Sequence, residues 1–187
     1  MISGKTKNKR RWVMRKAFTL VELIVVIAII AVLAAVVAPN AFKAIEKGKV
    51  SAFIGDYKAM KTSAMAFYSD IGYWPDNTSN GSGFINNSTG SVSNLSWDGP
   101  YLEKWPMRNP WSGNYSFNSS SIYDWSGDGT PEQARYITAT NIPATTNTSA
   151  AGRVDLQLDG VLGNGTGTIR YTYPAANTTL LMAVSYD

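Results

Sequence analysis

The chain has 187 residues, of which 44% are apolar, 12% aromatic and 16% charged, the make-up of a globular chain with room for one cored domain. It contains neither Cys nor His, which excludes disulfides, Cys/His zinc sites, thiol nucleophiles and histidine-based acid–base triads. The net charge of +4 is uneven: residues 1–17 hold seven bases and no acid, so the remainder is net −3 and has no basic stripe, and nucleic acid is not an expected partner.

The seven bases are Lys5, Lys7, Lys9, Arg10, Arg11, Arg15 and Lys16. Directly after them, Phe18 to Ala38 forms an apolar run of 21 residues whose one charge is Glu22. As a helix it would span about 31 Å, the hydrocarbon thickness of a bilayer. The basic flank predicts a cytoplasmic N-terminus and an exported C-terminal part. The run is longer than that of an ordinary secretory signal and lacks a small-residue A-x-A cleavage pattern at its end.

A carboxylate within a membrane helix is a functional hypothesis by default, with a partner to be named. No Lys or Arg lies inside the run, and Arg15 and Lys16 are seven and six residues upstream of Glu22.

The helix is expected to continue past the membrane, kinked at Pro39. Phe53, Tyr57, Met60, Ala64, Phe67 and Ile71 step by four and three, one apolar stripe. Gly72 and Pro75 end it, so the helix is expected over 18–71. Its first half is apolar all round, to be sheathed by lipid or other copies. Its second half is one-sided, and the stripe is core.

Residues 76–99 are rich in Asn, Ser and Gly and read as a surface loop, pinned by Phe84, Ile85, Leu95 and Trp97. Beyond it, Gly113–Phe117, Ile122–Trp125, Ala134–Thr140, Val154–Leu158, Thr168–Tyr173 and Thr178–Val184 read as short strands. Val154, Leu156 and Leu158 alternate with acids and Gln157, the pattern of a one-sided antiparallel strand. The expected fold is α+β, a long N-terminal helix packed on a small antiparallel sheet. Its expected parts are a leader (1–17), a membrane or filament-core helix half (18–39), an amphipathic half (40–75), a loop region (76–112) and a β domain (113–187).

Asp124, Ser126 and Asp128 place oxygen side chains at alternating positions before Gly129. That is the first half of a calcium loop. The closing glutamate is missing, since Arg135 holds the twelfth position, and Glu132 is the substitute. An Asp/Gly turn between strands explains the same residues. Asp155 to Asp159 repeats the half-motif, where strand alternation and a turn suffice. No G-x-S-x-G elbow or paired-acid cleft is visible, so catalysis is not expected.

Lys16-Ala17-Phe18-Thr19-Leu20-Val21-Glu22, followed by an apolar helix, resembles the class III signal of type IV pilins and type II secretion pseudopilins. The resemblance implies cleavage between Ala17 and Phe18 by a prepilin peptidase and methylation of the new Phe18 amine. Ala17 stands where the family usually has Gly. It also implies that Glu22 meets the Phe18 amine of a neighbouring copy, four residues separating the two within one chain. Further implied partners are a homo-oligomeric filament, an inner-membrane assembly platform and minor pilins or pseudopilins.

Asp70 to Pro75, Gly99 to Pro106 and Asn109 to Tyr115 resemble segments of the major pseudopilin, with Asn109 where that family has Asp. Major pseudopilins hold calcium in a C-terminal loop, which favours Ca2+ at Asp124, Ser126 and Asp128. Pilus and pseudopilus stay open between them. A single-pass anchored extracytoplasmic binding protein that never polymerises is the rival reading.

Overall fold

The computed structural model describes residues 18–87, 97–163, 167–171 and 175–186. The leader with Ala17, and Leu95 of the loop, lie outside these residues. The chain divides between Lys43 and Ala44 into two compact units.

The N-terminal unit is the first part of α1, Leu20–Ile71, a helix of 52 residues that runs unbroken through Pro39. None of its most apolar stretch is buried. No Gly, Pro or charge pair interrupts the β-branched and Leu residues from Val25 to Val37. Each can keep an allowed helical rotamer, and in an apolar surrounding the backbone must satisfy its own hydrogen bonds.

The second unit is built around the rest of α1. Phe53, Tyr57, Met60, Ala64 and Phe67 are all buried, at the spacing of one helix face. Full burial of a side chain such as Phe53 stabilises by about 1.5–3 kcal/mol. Polar side chains fix how the helix seats. Tyr57 donates to the Ala183 carbonyl, Ser63 to the Tyr101 carbonyl at 2.7 Å, and Tyr115 to Asp56 at 3.0 Å. Burial pushes the Asp56 carboxyl up, against the Tyr115 bond.

The sheet contains β1 (Tyr115–Tyr123), β2 (Glu132–Ala144), β3 (Ile169–Arg170) and β4 (Ala175–Tyr186), in the order β1-β2-β4-β3. Every pairing is antiparallel. Phe117 faces Ile137, and Ile137 and Ile169 both face Met182, so one apolar row crosses the sheet under α1. The two short runs expected at 113–117 and 122–125 are one strand, because a register shift between Asn118 and Ser121 absorbs the polar residues between them. In β2 the buried positions step by three from Ala134 to Ile137 and from Ala139 to Ile142. Both steps contain register shifts, and an extra residue in a bulge restores the inward parity. Asn141 sits in the second with φ of 62°, a conformation Asn tolerates better than most residues.

One expected strand is a helix. Val154–Leu158 lies inside α2, Ala150–Asp159. Its buried residues are Ala150, Ala151, Gly152, Val154 and Asp155, clustered on one side of a helix, whereas Leu156 is 50% exposed. Alternation at three positions is too short to distinguish the periods, because Val154 and Leu158 also share a helix face. The stop is Gly160, whose φ of 76° lets its amide reach the Leu156 carbonyl at 3.1 Å, as a left-handed C-cap does.

The segment before the sheet is closely tied. Thr78 bridges Phe117, and Asn77 accepts the Ser119 amide at 2.7 Å. Phe84 is fully buried, its ring 5.3 Å from that of Phe117 and 5.6 Å from that of Trp105. Trp97 donates to the Gly83 carbonyl at 3.1 Å. Asn109 is the staple of the next turn. Its side-chain oxygen accepts the Trp111 and Gly113 amides at 2.9 and 3.0 Å, and its side-chain nitrogen donates to the Thr140 carbonyl at 2.7 Å. Gly113 has no alternative there: a Cβ would lie 1.8 Å from the Thr140 oxygen.

Candidate functional site

The head of α1 carries the first candidate site. Thr19 precedes the helix and Glu22 is its third residue. The Thr19 amide and hydroxyl both donate to Glu22 Oε2 at 2.8 Å, and the Thr19 hydroxyl accepts the Glu22 amide at 3.2 Å. This is a reciprocal capping box, which satisfies two amides that the first turn would otherwise leave free.

Two sequence expectations change as a result. Glu22 has an intrachain partner, Thr19, which is not a cation. The signal was present in the sequence as Thr19-Leu20-Val21-Glu22, the T-x-x-E pattern before an apolar run. Phe18 lies outside the helix, not on its face, because the cap starts the helix at Leu20. Phe18 is 89% exposed.

The box supplies hydrogen bonds but no positive charge. Below it, Val25, Ala28, Ile29, Val32 and Leu33 line a wholly apolar shallow groove. The arrangement is an oriented carboxylate at the tip of a helix that offers only apolar surface for about four turns.

The turn between β1 and β2 carries the second. Carboxylate oxygens of Asp124, Asp128 and Glu132 lie within 4.8 Å of one another. Ser126 joins through its hydroxyl, 3.4 Å from Asp124 Oδ1. Each carboxylate also holds the turn closed. Asp124 accepts the Gly127 and Gly129 amides at 2.7 and 3.0 Å. Asp128 accepts the Thr130 amide at 2.7 Å. Glu132 accepts the amides of Trp125 at 2.6 Å and Ser126 at 3.2 Å. The Thr130 amide, with the Thr130 and Ser126 hydroxyls, lowers the Asp128 pKa. The Ser126 hydroxyl and the Trp125 amide lower that of Glu132. Both are therefore ionised at neutral pH beside Asp124. The sequence-expected trio is brought together, with Glu132 added in place of a closing glutamate. These oxygens could hold a hard divalent cation.

Comparison with known families divides the chain much as the structure does. Residues 12–38 match the family model described as the prokaryotic N-terminal methylation motif. Residues 44–130 match the model described as PilW, C-terminal. No curated protein and no solved structure matches the chain.

Proposed function

We propose, for a chain that is type IV pilin-like in both its N-terminal signal and its outer region, that it is a structural subunit cut between Ala17 and Phe18 by a prepilin peptidase, methylated on Phe18, and polymerised into a type IV pilus or a type II secretion pseudopilus. The families it matches are structural, pilin-type proteins. A long apolar N-terminal helix behind such a signal fits a single-pass membrane anchor. In our reading the N-terminus is cytoplasmic and the outer unit extracytoplasmic, as the seven leader bases favour.

The observation that carries the reading is the oriented Glu22. Its Oε2 is served by Thr19, but these bonds bring no positive charge, and among the described residues no ion pair to Glu22 is seen. In lipid or in a filament core an unbalanced charge is costly, and an ammonium nearby relieves the cost. The Phe18 amine freed by cleavage is such a group and keeps its charge when methylated. A neighbour displaced along the helix axis delivers it, and the pair fixes the axial register between copies. The Thr19 bonds hold the carboxylate toward the N-terminal end, where that amine arrives.

Glutamine makes the same capping box as glutamate. Glu22→Gln therefore separates cap from charge, while Glu22→Ala removes both. Both variants are expected to insert in the membrane and to lose filaments in electron micrographs. Normal filaments from Glu22→Gln would refute the charge pairing. Intact-mass measurement of the native protein is expected to find a chain that starts at Phe18 and carries one methyl group. A chain that keeps residues 1–17 would favour the anchored, non-polymerising rival.

The reading includes a calcium ion in the 124–132 turn. It is supported by three carboxylates within 4.8 Å, two of them held ionised by their hydrogen bonds.

A further inference from the structure

Asp155 of α2 is 0% exposed. Its Oδ2 accepts the Gly163 amide at 2.8 Å and the Tyr171 hydroxyl at 3.3 Å. Its Oδ1 is buried with no hydrogen-bond partner. Asp159 is four residues on, on the same helix face, and its Oδ2 accepts the Thr168 and Ile169 amides at 2.8 and 3.2 Å. The Asp159 charge and side chain are close enough to raise the Asp155 pKa. The Gly163, Thr168 and Ile169 amides thus hold both carboxyls in place, yet among the described residues no donor serves Asp155 Oδ1. Two carboxylates so close cannot both stay ionised inside a protein, and a buried oxygen without a donor is costly. One proton resolves both problems.

We propose that Asp155 keeps a proton and donates it toward Asp159, forming a clamp that fastens α2 to β3 and loosens as pH rises. A hard cation is the weaker occupant. It seeks six to eight oxygens, whereas the Oδ2 atoms of both carboxyls are already taken by N–H and O–H donors.

The groups facing the pair support a proton. From α1, Tyr57 feels the Asp159 charge while donating to the Ala183 carbonyl. From beyond β3, Tyr171 donates to Asp155. On α2 itself, Arg153 donates to the Thr148 carbonyl. Arg170 of β3 donates to the Gly167, Ile169 and Trp125 carbonyls. The ionisable residues of β2 are engaged at its start, with Glu132 on the Trp125 amide and Arg135 over the Trp74 ring. Burial, and then the Asp159 charge, raises the Asp155 pKa against the Gly163 amide. A carboxyl raised in the fold contributes stability that is complete below its unfolded pKa and lost as pH rises through the folded one.

The test is thermal unfolding of the full chain in detergent from acid to neutral pH. Asparagine at 155 can donate to Asp159 while still accepting from Gly163. The native melting temperature is expected to fall by a few degrees relative to Asp155→Asn as pH rises, and Asp159→Asn is expected to flatten the profile likewise. Profiles of native and variant chains that run parallel would overturn the proposal. So would a melting shift with calcium or magnesium at neutral pH that native protein shows and Asp155→Asn lacks, which would put a cation between the carboxyls. Should neither variant fold, the infrared spectrum of native protein decides. A protonated-carboxyl band is expected at mildly acidic pH where exposed carboxylates are ionised, and its absence overturns the proposal.

Discussion

Asn109→Asp changes one atom in the turn that joins the loop region to the sheet. The side chain keeps its shape, and the two bonds to its Oδ1, from the Trp111 and Gly113 amides, survive. The third is inverted. A donor 2.7 Å from the Thr140 carbonyl becomes an acceptor, on a residue only 4% exposed. Loss of the donor leaves the Thr140 carbonyl facing a carboxylate oxygen across a part-buried contact, a cost of about 1–3 kcal/mol. Desolvation of the new charge adds to this, and stronger charge-assisted bonds from the two amides offset part of it. A net loss of about 1–3 kcal/mol at neutral pH lowers the melting temperature by about 2–12 °C for a chain of this size.

The deficit is also pH-dependent. In acid the new carboxyl is protonated and its O–H can donate to Thr140, so its pKa is raised in the fold. Its stabilising effect is complete below the unfolded value and lost as pH rises through the folded one. The gap between native and variant chains should therefore be small in acid and widen toward neutrality. Asp155 is common to both and cancels in the difference. Circular dichroism melts of the two full chains in the same detergent give the gap directly. Equal melting temperatures at neutral pH, or a gap that does not close in acid, would refute the staple.

Three further outcomes follow from the same geometry. Thr19→Val removes the hydroxyl bonds of the capping box but leaves the Thr19 amide donating to Glu22. Filament yield by microscopy should fall, but less than for Glu22→Gln, and an unchanged yield would show that the hydroxyl does not position the carboxylate. Gly113→Ala forces a methyl to 1.8 Å from a backbone oxygen, so β1 and β2 must part. A cost of about 1–3 kcal/mol or more is expected, and an unaltered melt would disprove the close approach. Calcium, but not magnesium, should raise the melting temperature of native protein through linkage and not that of Asp124→Ala. No shift would mean that the turn is held by its own amides alone.

The large features of the fold were legible in the sequence because they rest on long periods. Twenty-one apolar residues after seven bases, and a stripe from Phe53 to Phe67, leave little choice. The sheet was legible strand by strand but not in its register, since bulges at Asn118/Ser121 and Ala139/Ile142 depend on partners distant in the chain. α2 was misread because three alternating residues outweighed its Gly160 stop. That error also hid Asp155, placed on the wet face of a strand and found wholly buried. Thr19 was readable from local spacing alone. Asn109 was visible only as a departure from a pattern, and its reason, the Thr140 carbonyl, lies 31 residues away.

Every large apolar side chain from Leu20 to Val37 is at least half exposed within its own chain. A rod so evenly greasy has no front and no back. Rolled about its long axis in an oily medium, it meets almost the same surroundings at every angle. The rod itself thus specifies no angular setting for a copy beside its neighbours. That setting must come from the polar collar at its tip or from whatever the sheet-bearing unit touches, and conservative aliphatic exchanges between Val25 and Val37 should leave it unchanged.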